Sequence, residues 1–310
     1  MVNRTQFRLF SEFAVFPIFA FQNRGNLLSD QHQKAIWLTV IAAILWSTGG
    51  LFVKLLTLDA FTILFYRSFY AALLFIVLFR KQLLVVNKLT FISALFYAPL
   101  LICFVSATKL TTAANAIFLQ YTAPAFILIL EPFFVRTKLL KINVITVILT
   151  FLGMLLFFFD DFSGPDNMLG IILALAGGVV LTGLLISQKM NAPAYQPGAV
   201  FWGNILVCLI TLPWAVQNPF PDVVQNSYLM ILGFGQLGLG FALFVYGQKY
   251  LTAIESSLIS MLEPVLNPVW VIIWYGEIPG YFALTGGAII VFTLMYRMIF
   301  LHRMKRNLKS

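Results

Sequence analysis

The sequence predicts an all-α integral membrane protein of ten transmembrane helices, arranged as two inverted five-helix repeats. Three observations carry that expectation. Hydrophobic residues make up 61% of the chain and charged residues 10%, against about 25% charged in a soluble domain, so a water-facing surface cannot be covered. Between Lys34 and Arg303 the chain is a near-continuous series of apolar segments, each close to the ~20 residues that cross a bilayer as a helix. The second half also repeats the first: KLTTAANAIFLQYTAP (109–124) lies over KYLTAIESSLISMLEP (249–264) without a gap at an offset of 140 residues, with Lys, Thr, Ala and Pro coinciding. A shift of 135 residues sets Lys54 on Lys189, Ser47 on Thr182 and Ala42/Ala43 on Gly177/Gly178. Internal symmetry of this kind encodes two similar halves of five helices. A register of 132 residues would superpose LEP (130–132) on LEP (262–264), but it loses the Lys, Thr and Ala matches.

The spans read as 35–57, 61–79, 89–108, 112–133, 142–159, 168–187, 198–216, 228–247, 252–275 and 280–300. Basic residues follow alternate spans: Arg80, Lys81 and Lys88 after the second, Arg136, Lys138 and Lys141 after the fourth, and Arg297, Arg303, Lys305, Arg306 and Lys309 at the close. Asp59, Asp160, Asp161, Asp166, Asp222 and Glu277 occupy the other loops. On an even-span topology, 17 of the 20 Lys and Arg residues then lie on one side, and the positive-inside rule makes that side the cytoplasm, with both termini in it. The net charge of +9 is thereby a membrane-orientation signal, and no nucleic-acid partner is expected. The longest polar interruption, Asn218 to Ser227, leaves no room for a soluble catalytic domain, so function must sit within the bundle.

The domain reading is an N-terminal extension (1–33), a first five-helix repeat (34–160), a second (167–301) and a basic cytoplasmic tail (302–310). In the extension, Glu12 and Pro17 interrupt the apolar run FSEFAVFPIFAF, so neither a spanning helix nor a signal peptide results. It reads either as an interfacial segment, with Arg4 and Arg8 near lipid phosphates, or as unstructured chain. Cys103 and Cys208 fall inside apolar spans without metal-ligand spacing, where a thiol behaves as a small hydrophobe.

A Trp-Ser in the first span (Trp46, Ser47), an arginine in the second (Arg67), and small residues leading to a proline in the fourth and ninth occur in order. The stretch MLEPVLNPVWVIIWYGEIPGYFALTGGAIIVF (261–292) adds a Pro-containing helix, a Gly-Glu at its outer end and a Gly-rich final helix. Taken together over roughly 35 to 300, the chain resembles the drug/metabolite transporter superfamily with two EamA-type domains. The helix-end Gly-Glu appears once, because Thr137 stands where the 140-residue offset would place a partner for Glu277. What the resemblance implies is movement of small metabolites, often amino acids or their relatives, across an inner cell membrane without ATP hydrolysis. No GxxxxGK phosphate loop occurs in the sequence.

Ionisable groups inside a span are expensive and usually face a cavity, so depth ranks the candidates. Glu263 lies eleven residues past Thr252, roughly 16 Å down a helix, at mid-bilayer; it is a candidate for substrate or proton binding, or a neutral helix-stabilising group. Glu131 falls near the cytoplasmic interface beside Arg136 and reads as a structural charge. Arg67, about 10 Å from the outer surface, can snorkel, pair with an acidic group or bind an anion. Pro264 and Pro268 flank Asn267, and Pro124 follows Gln120, Tyr121 and Thr122, so both helices are expected to break and free polar groups for a ligand. Trp46, Trp202, Tyr246 and Trp270 sit within spans instead of in interfacial belts, as cavity walls or packing. The series GFGQLGLG, with Gly235 and Gly238, is a hinge or gate candidate, close helix packing being the alternative.

These residues predict a secondary transporter for a small polar metabolite, an amino acid or related amine, with the lipid bilayer and a coupling proton as further partners and no cofactor. A cationic nucleoside-like solute stays open as the alternative. An embedded enzyme would need a cluster of His, Cys or paired carboxylates, and the two histidines, His32 and His302, lie outside the spans.

Overall fold

An apolar chain in lipid must satisfy its backbone within each segment, and helices do so. A computed structural model describes residues 27–134, 140–159, 165–247, 250–251, 256 and 259–307, and among these it contains helices and no strand. In chain order they are α1 (Leu27–Ser47), α2 (Gly49–Leu55), α3 (Ala60–Phe79), α4 (Lys88–Leu110), α5 (Ala113–Gln120), α6 (Ala123–Phe134), α7 (Lys141–Leu156), α8 (Pro165–Met190), α9 (Gln196–Gln217), α10 (Val223–Met230), a π-helical segment Ile231–Leu239, α11 (Gly240–Gly247), α12 (Leu262–Tyr275) and α13 (Tyr281–Asn307).

Eight stretches of the described chain are long and apolar enough to cross a membrane: Gln31–Leu55, Ala60–Leu84, Lys88–Leu110, Ala113–Leu130, Asn167–Gln188, Gln196–Gln217, Val223–Phe244 and Tyr281–Leu301. The fifth and ninth places expected from sequence hold shorter helices, α7 with 16 residues and α12 with 14. Two boundaries differ from expectation. Helix α1 begins at Leu27, inside the segment read as an extension, and α13 continues through Arg303 to Asn307, into the basic tail. Arg136, Lys138, Asp160, Asp161, Lys249, Thr252 and Glu255 lie outside the described residues, as does the side chain of Glu131.

Packing pairs elements from the two halves. Helix α4 lies along α8, α9 packs on α3 and α4, the π segment packs on α3, α11 on α1, α5 on α8, α12 on α1 and α2, and α13 on α7. Small residues set the closest crossings: a Cβ added at Gly153 of α7 would stand 3.0 Å from the Gly286 carbonyl of α13, an approach that only a missing side chain permits. Phe75, Phe104, Phe118, Phe157 and Leu119 fill the interior, while Leu95, Leu152, Trp274 and Phe292 remain on the outside, where lipid replaces water.

Candidate functional site

Four spans lose regular α-helix at one place in the bundle. The first span stops at Ser47 and resumes at Gly49. The fourth stops at Gln120 and resumes at Ala123. The eighth switches to π-helix over Ile231–Leu239, and α12 begins at Leu262 after the turn at Met261. Breaks of this kind leave polar backbone that something must satisfy. In the first span, the Ser47 and Thr48 hydroxyls donate to the Ile44 and Leu45 carbonyls at 2.7 Å each, and the Gln236 amide donates to the Trp46 carbonyl at 3.1 Å. In the fourth, Thr122 Oγ1 donates to the Leu119 carbonyl at 2.5 Å.

Pro124 and Pro264 fall in the first turns of α6 and α12, where a missing N–H costs nothing, so each starts a helix segment just past an interruption. Pro268 lies inside α12. Of the two glycines singled out as a hinge, Gly238 is packed against Leu74, whereas a Cβ at Gly235 would meet only Ile231 at 3.9 Å. The π-helix itself, common at functional sites, was not foreseen.

Side chains converge on these breaks. Trp270 Nε1 donates to Ser47 Oγ at 2.8 Å, joining α12 to α1. Tyr121 OH lies 2.7 Å from Glu263 Oε2 and 3.2 Å from the Ser260 carbonyl. Arg67, 1% exposed, donates from Nη2 to Gln236 Oε1 at 2.6 Å and lies 6.0 Å from the Phe104 ring centroid. The Trp46 ring packs at 4.9 Å on Phe244 and against Gly240. Asn267 is fully buried, and its amide faces Gly50, where a Cβ would come within 2.5 Å of Oδ1.

This layer is rich in polar atoms that the protein leaves unpaired. Among the described residues, Arg67 Nε and Nη1, Ser68 Oγ, Gln120 Oε1 and both amide atoms of Asn267 are buried without a hydrogen-bond partner, as is Oδ1 of Asn115 nearer the start of α5, whose amide donates to Thr111 Oγ1 at 2.8 Å. Since nearly all buried polar groups in native proteins are bonded, such a concentration requires a reason. Gln236, Asn115 and Ser68 were not singled out from the sequence, although each is a polar side chain inside an apolar run, which is the signal that finds them.

Two of the expected residues lie elsewhere. Trp202 Nε1 donates to the Leu83 carbonyl at 3.2 Å, beyond the far end of α3 and about 18 Å or more from Arg67 by helix rise. The Tyr246 ring packs at a tilt on Tyr250, 5.7 Å between centroids, and receives Lys34 of α1 over its ring at 5.8 Å.

A second polar group closes one end of the bundle. Lys54 Nζ lies 2.5 Å from Glu277 Oε2 and donates to the Thr111 carbonyl at 2.7 Å, while Lys109 Nζ donates to the Leu56 carbonyl at 2.5 Å. Each lysine thus satisfies the C-terminal carbonyl of the other's helix. Glu277 Oε1 accepts from Ala113 N at 2.9 Å, at the positive N-terminus of α5. It reaches that amide because Gly276 turns the chain with φ +78°, a left-handed conformation suited to glycine.

The sequence model of the EamA-like transporter family matches residues 33–159 and 168–297. An uncharacterized transporter of Archaeoglobus fulgidus is 23% identical over 255 residues, covering 81% of this chain and 92% of that one. The pseudopaline exporter CntI of Pseudomonas aeruginosa is 22% identical over 279 residues, covering 86% and 96%. A solved structure described only as the crystal structure of a protein aligns with a TM-score of 0.62 at 19% identity, over 88% of this chain and 99% of that one. At that identity the likeness concerns the fold alone.

Proposed function

Because the chain belongs to the EamA-like transporter family, we propose that this multi-pass membrane protein is a secondary transporter of a small zwitterionic metabolite, an amino acid or related amine. It works by alternating access between two inverted halves of five spans each, in an inner cell membrane with both termini cytoplasmic. The observation that carries the solute class is the pair Arg67 and Glu263. Each is held by a neutral partner, Gln236 and Tyr121 respectively, and among the described residues no ion pair joins them. Opposite charges kept apart in one polar layer match a solute that carries an ammonium and a carboxylate.

The packing supports the inverted repeat. If the spans correspond as first to sixth through fifth to tenth, then α4 on α8 mirrors α11 on α1, α5 on α8 mirrors α12 on α1, and α9 on α4 mirrors the π segment on α3. The crossings α3 on α9 and α7 on α13 map onto themselves. Two halves related in this way can rock about a fixed central site.

The contacts of Tyr121 suit a coupling proton. A phenol has one hydrogen to donate and an oxygen that accepts. With Glu263 ionised, Tyr121 donates to the carboxylate; with Glu263 protonated, the carboxyl donates to the phenol and the phenol turns its hydrogen to the Ser260 carbonyl. Both forms keep the bond between the phenol and the carboxyl, so a proton can come and go without breaking that contact.

Counterflow in proteoliposomes tests the reading, with amino acids, their decarboxylated amines and nucleosides as competing solutes. Exchange of amino acids is expected. Exchange of nucleosides with indifference to every amino acid would replace the zwitterion by a cationic nucleoside-like solute, and absence of flux for every solute would end the transport reading.

A further inference from the structure

Gln236 occupies an uncommon position for a glutamine. It is 4% exposed, in the middle of the π-helical segment, and touches a buried arginine on one side and a helix end on the other. Its orientation is fixed by chemistry: the Trp46 carbonyl can only accept and Arg67 can only donate, so Nε2 faces the carbonyl at 3.1 Å and Oε1 faces Nη2 at 2.6 Å. Glycines make the approach possible. The amide of Gln236 packs on Gly49, and Gly233, one helical turn before it, lies against the Arg67 carbonyl.

A buried arginine normally meets a carboxylate. Among the described residues none lies within ion-pair distance of Arg67, and the glutamine that takes its place orients the guanidinium without neutralising it. Nη2 carries two N–H groups and Gln236 Oε1 takes one of them, while Nε and Nη1 on either side of Nη2 are both unpaired. The spare Nη2 hydrogen and its Nε or Nη1 neighbour therefore still form one edge of the guanidinium fork, whose spacing fits the two oxygens of a carboxylate.

We propose that Gln236 is a specificity-determining residue: its uncharged amide holds Arg67 while leaving a two-donor edge of the guanidinium free for the carboxylate of a solute, so that the protein selects solutes bearing that group. The proposal rests on the reading of the central layer as the solute site. It predicts a particular asymmetry. In Gln236→Glu the side chain keeps its length but supplies Arg67 with its own carboxylate and gives up the donor to Trp46, so an incoming carboxylate must displace an internal one.

The experiment uses the purified full-length protein and matched probes that differ only in the carboxylate, each amino acid against its decarboxylated amine, read by ligand-induced thermal shift and by counterflow. In wild type, amino acids should shift melting at lower concentration than their amines do. In Gln236→Glu the concentration of amino acid needed for the shift should rise by about ten- to a hundredfold, the range for a lost charged hydrogen bond, while amines gain relative to amino acids. Gln236→Leu, which removes the tether and keeps the arginine charge, should weaken amino acids less than Gln236→Glu does. Should Gln236→Glu fail to purify as a monodisperse protein, the same comparison of paired probes in Gln236→Leu against Gln236→Met decides. Equal loss for amino acids and amines in either variant, or no loss, overturns the role of Gln236 while wild-type binding leaves the solute site standing. A wild-type protein that responds to no probe overturns the site and the inference together.

Discussion

Two polar clusters in this bundle are built on opposite terms. At the Lys54–Glu277 end each charge meets its opposite or a helix terminus: lysines on C-terminal carbonyls, the carboxylate on the first amide of α5, and the two charges on each other at 2.5 Å. In the layer where the helices break, Arg67 and Glu263 rest on neutral partners, and Asn267 and Gln120 keep unpaired atoms. Satisfied charges hold a closure together. Unsatisfied ones raise the energy of the folded protein, and on the proposed function a bound solute would relieve them, which is the usual compromise between stability and function.

Removing the arginine should have the largest effect on the contrast between the two clusters. Arg67→Met keeps the stem and discards a buried charge whose partners are incomplete. Transport should fall by at least about tenfold, the scale of lost hydrogen bonds to a charged group, while the melting temperature holds or rises, because burying an unpaired charge costs several kcal/mol. Variants at the closed end should behave in reverse. A fall in melting temperature with flux intact would show that Arg67 is structural.

Glu263→Gln comes next, since it keeps shape and hydrogen bonding but cannot exchange a proton. Flux should drop by about tenfold, more than in Glu131→Gln, and the response of uptake to a pH gradient should vanish. Wild-type flux with an unchanged pH response would reduce Glu263 to a helix-stabilising neutral group and leave the central layer without its acidic half.

At the closed end, Lys54→Met strands Glu277, and Glu277→Gln strands Lys54. With side chains 12% and 16% exposed, each change should cost about 1–3 kcal/mol, between the values for exposed and for fully buried pairs. The double variant should recover part of that loss, because no charge is then left alone. Solute affinity should stay near wild type, while reagents added from the Glu277 side label a cysteine placed at Asn115 faster. Additive losses in the double variant would show that the two charges do not act as a pair.

The contrast between the clusters was only half legible in the sequence. The breaks at Pro124 and Pro264 and the placing of Arg67 and Glu263 inside apolar runs could be read, because a proline or a charge inside such a run is a local signal. The interruption at Thr48 carries no proline; it depends on the Gln236 amide arriving from 190 residues away. Gln236 itself was concealed in a glycine series whose obvious meaning is close packing. The Lys54–Glu277 pair joins residues that the charge pattern shows only as loop and helix-end charges, and what aims the carboxylate is the left-handed turn at Gly276. Local chemistry predicts where a helix is under stress, but which partner relieves the stress is a property of the fold.

The smallest expected effect is a control outside both clusters. Asp222 caps α10, accepting the backbone N–H of Gln225 at 2.8 Å and its side-chain amide at 3.2 Å. The bond from the Gln225 backbone, then that from its side chain, holds the carboxyl below its ordinary value. A carboxyl whose folded-state pKa is lowered contributes stability above its unfolded value, about 3.9 for aspartate, and loses it as pH falls through the folded value. Asp222→Ala should therefore lower the melting temperature slightly at neutral pH, and the difference from wild type should shrink to nothing in acid below the carboxylate range. Solute affinity and the pH response of uptake should not move, because the cap has no bond to the π segment's glutamine and reaches the closed end only through Gln225, which accepts from Thr57 beside Leu56 at 3.1 Å. If Asp222→Ala instead changed the pH response as much as Glu263→Gln does, the titrating group that couples to transport would lie at the start of α10, and the assignment of that role to the central layer would fall.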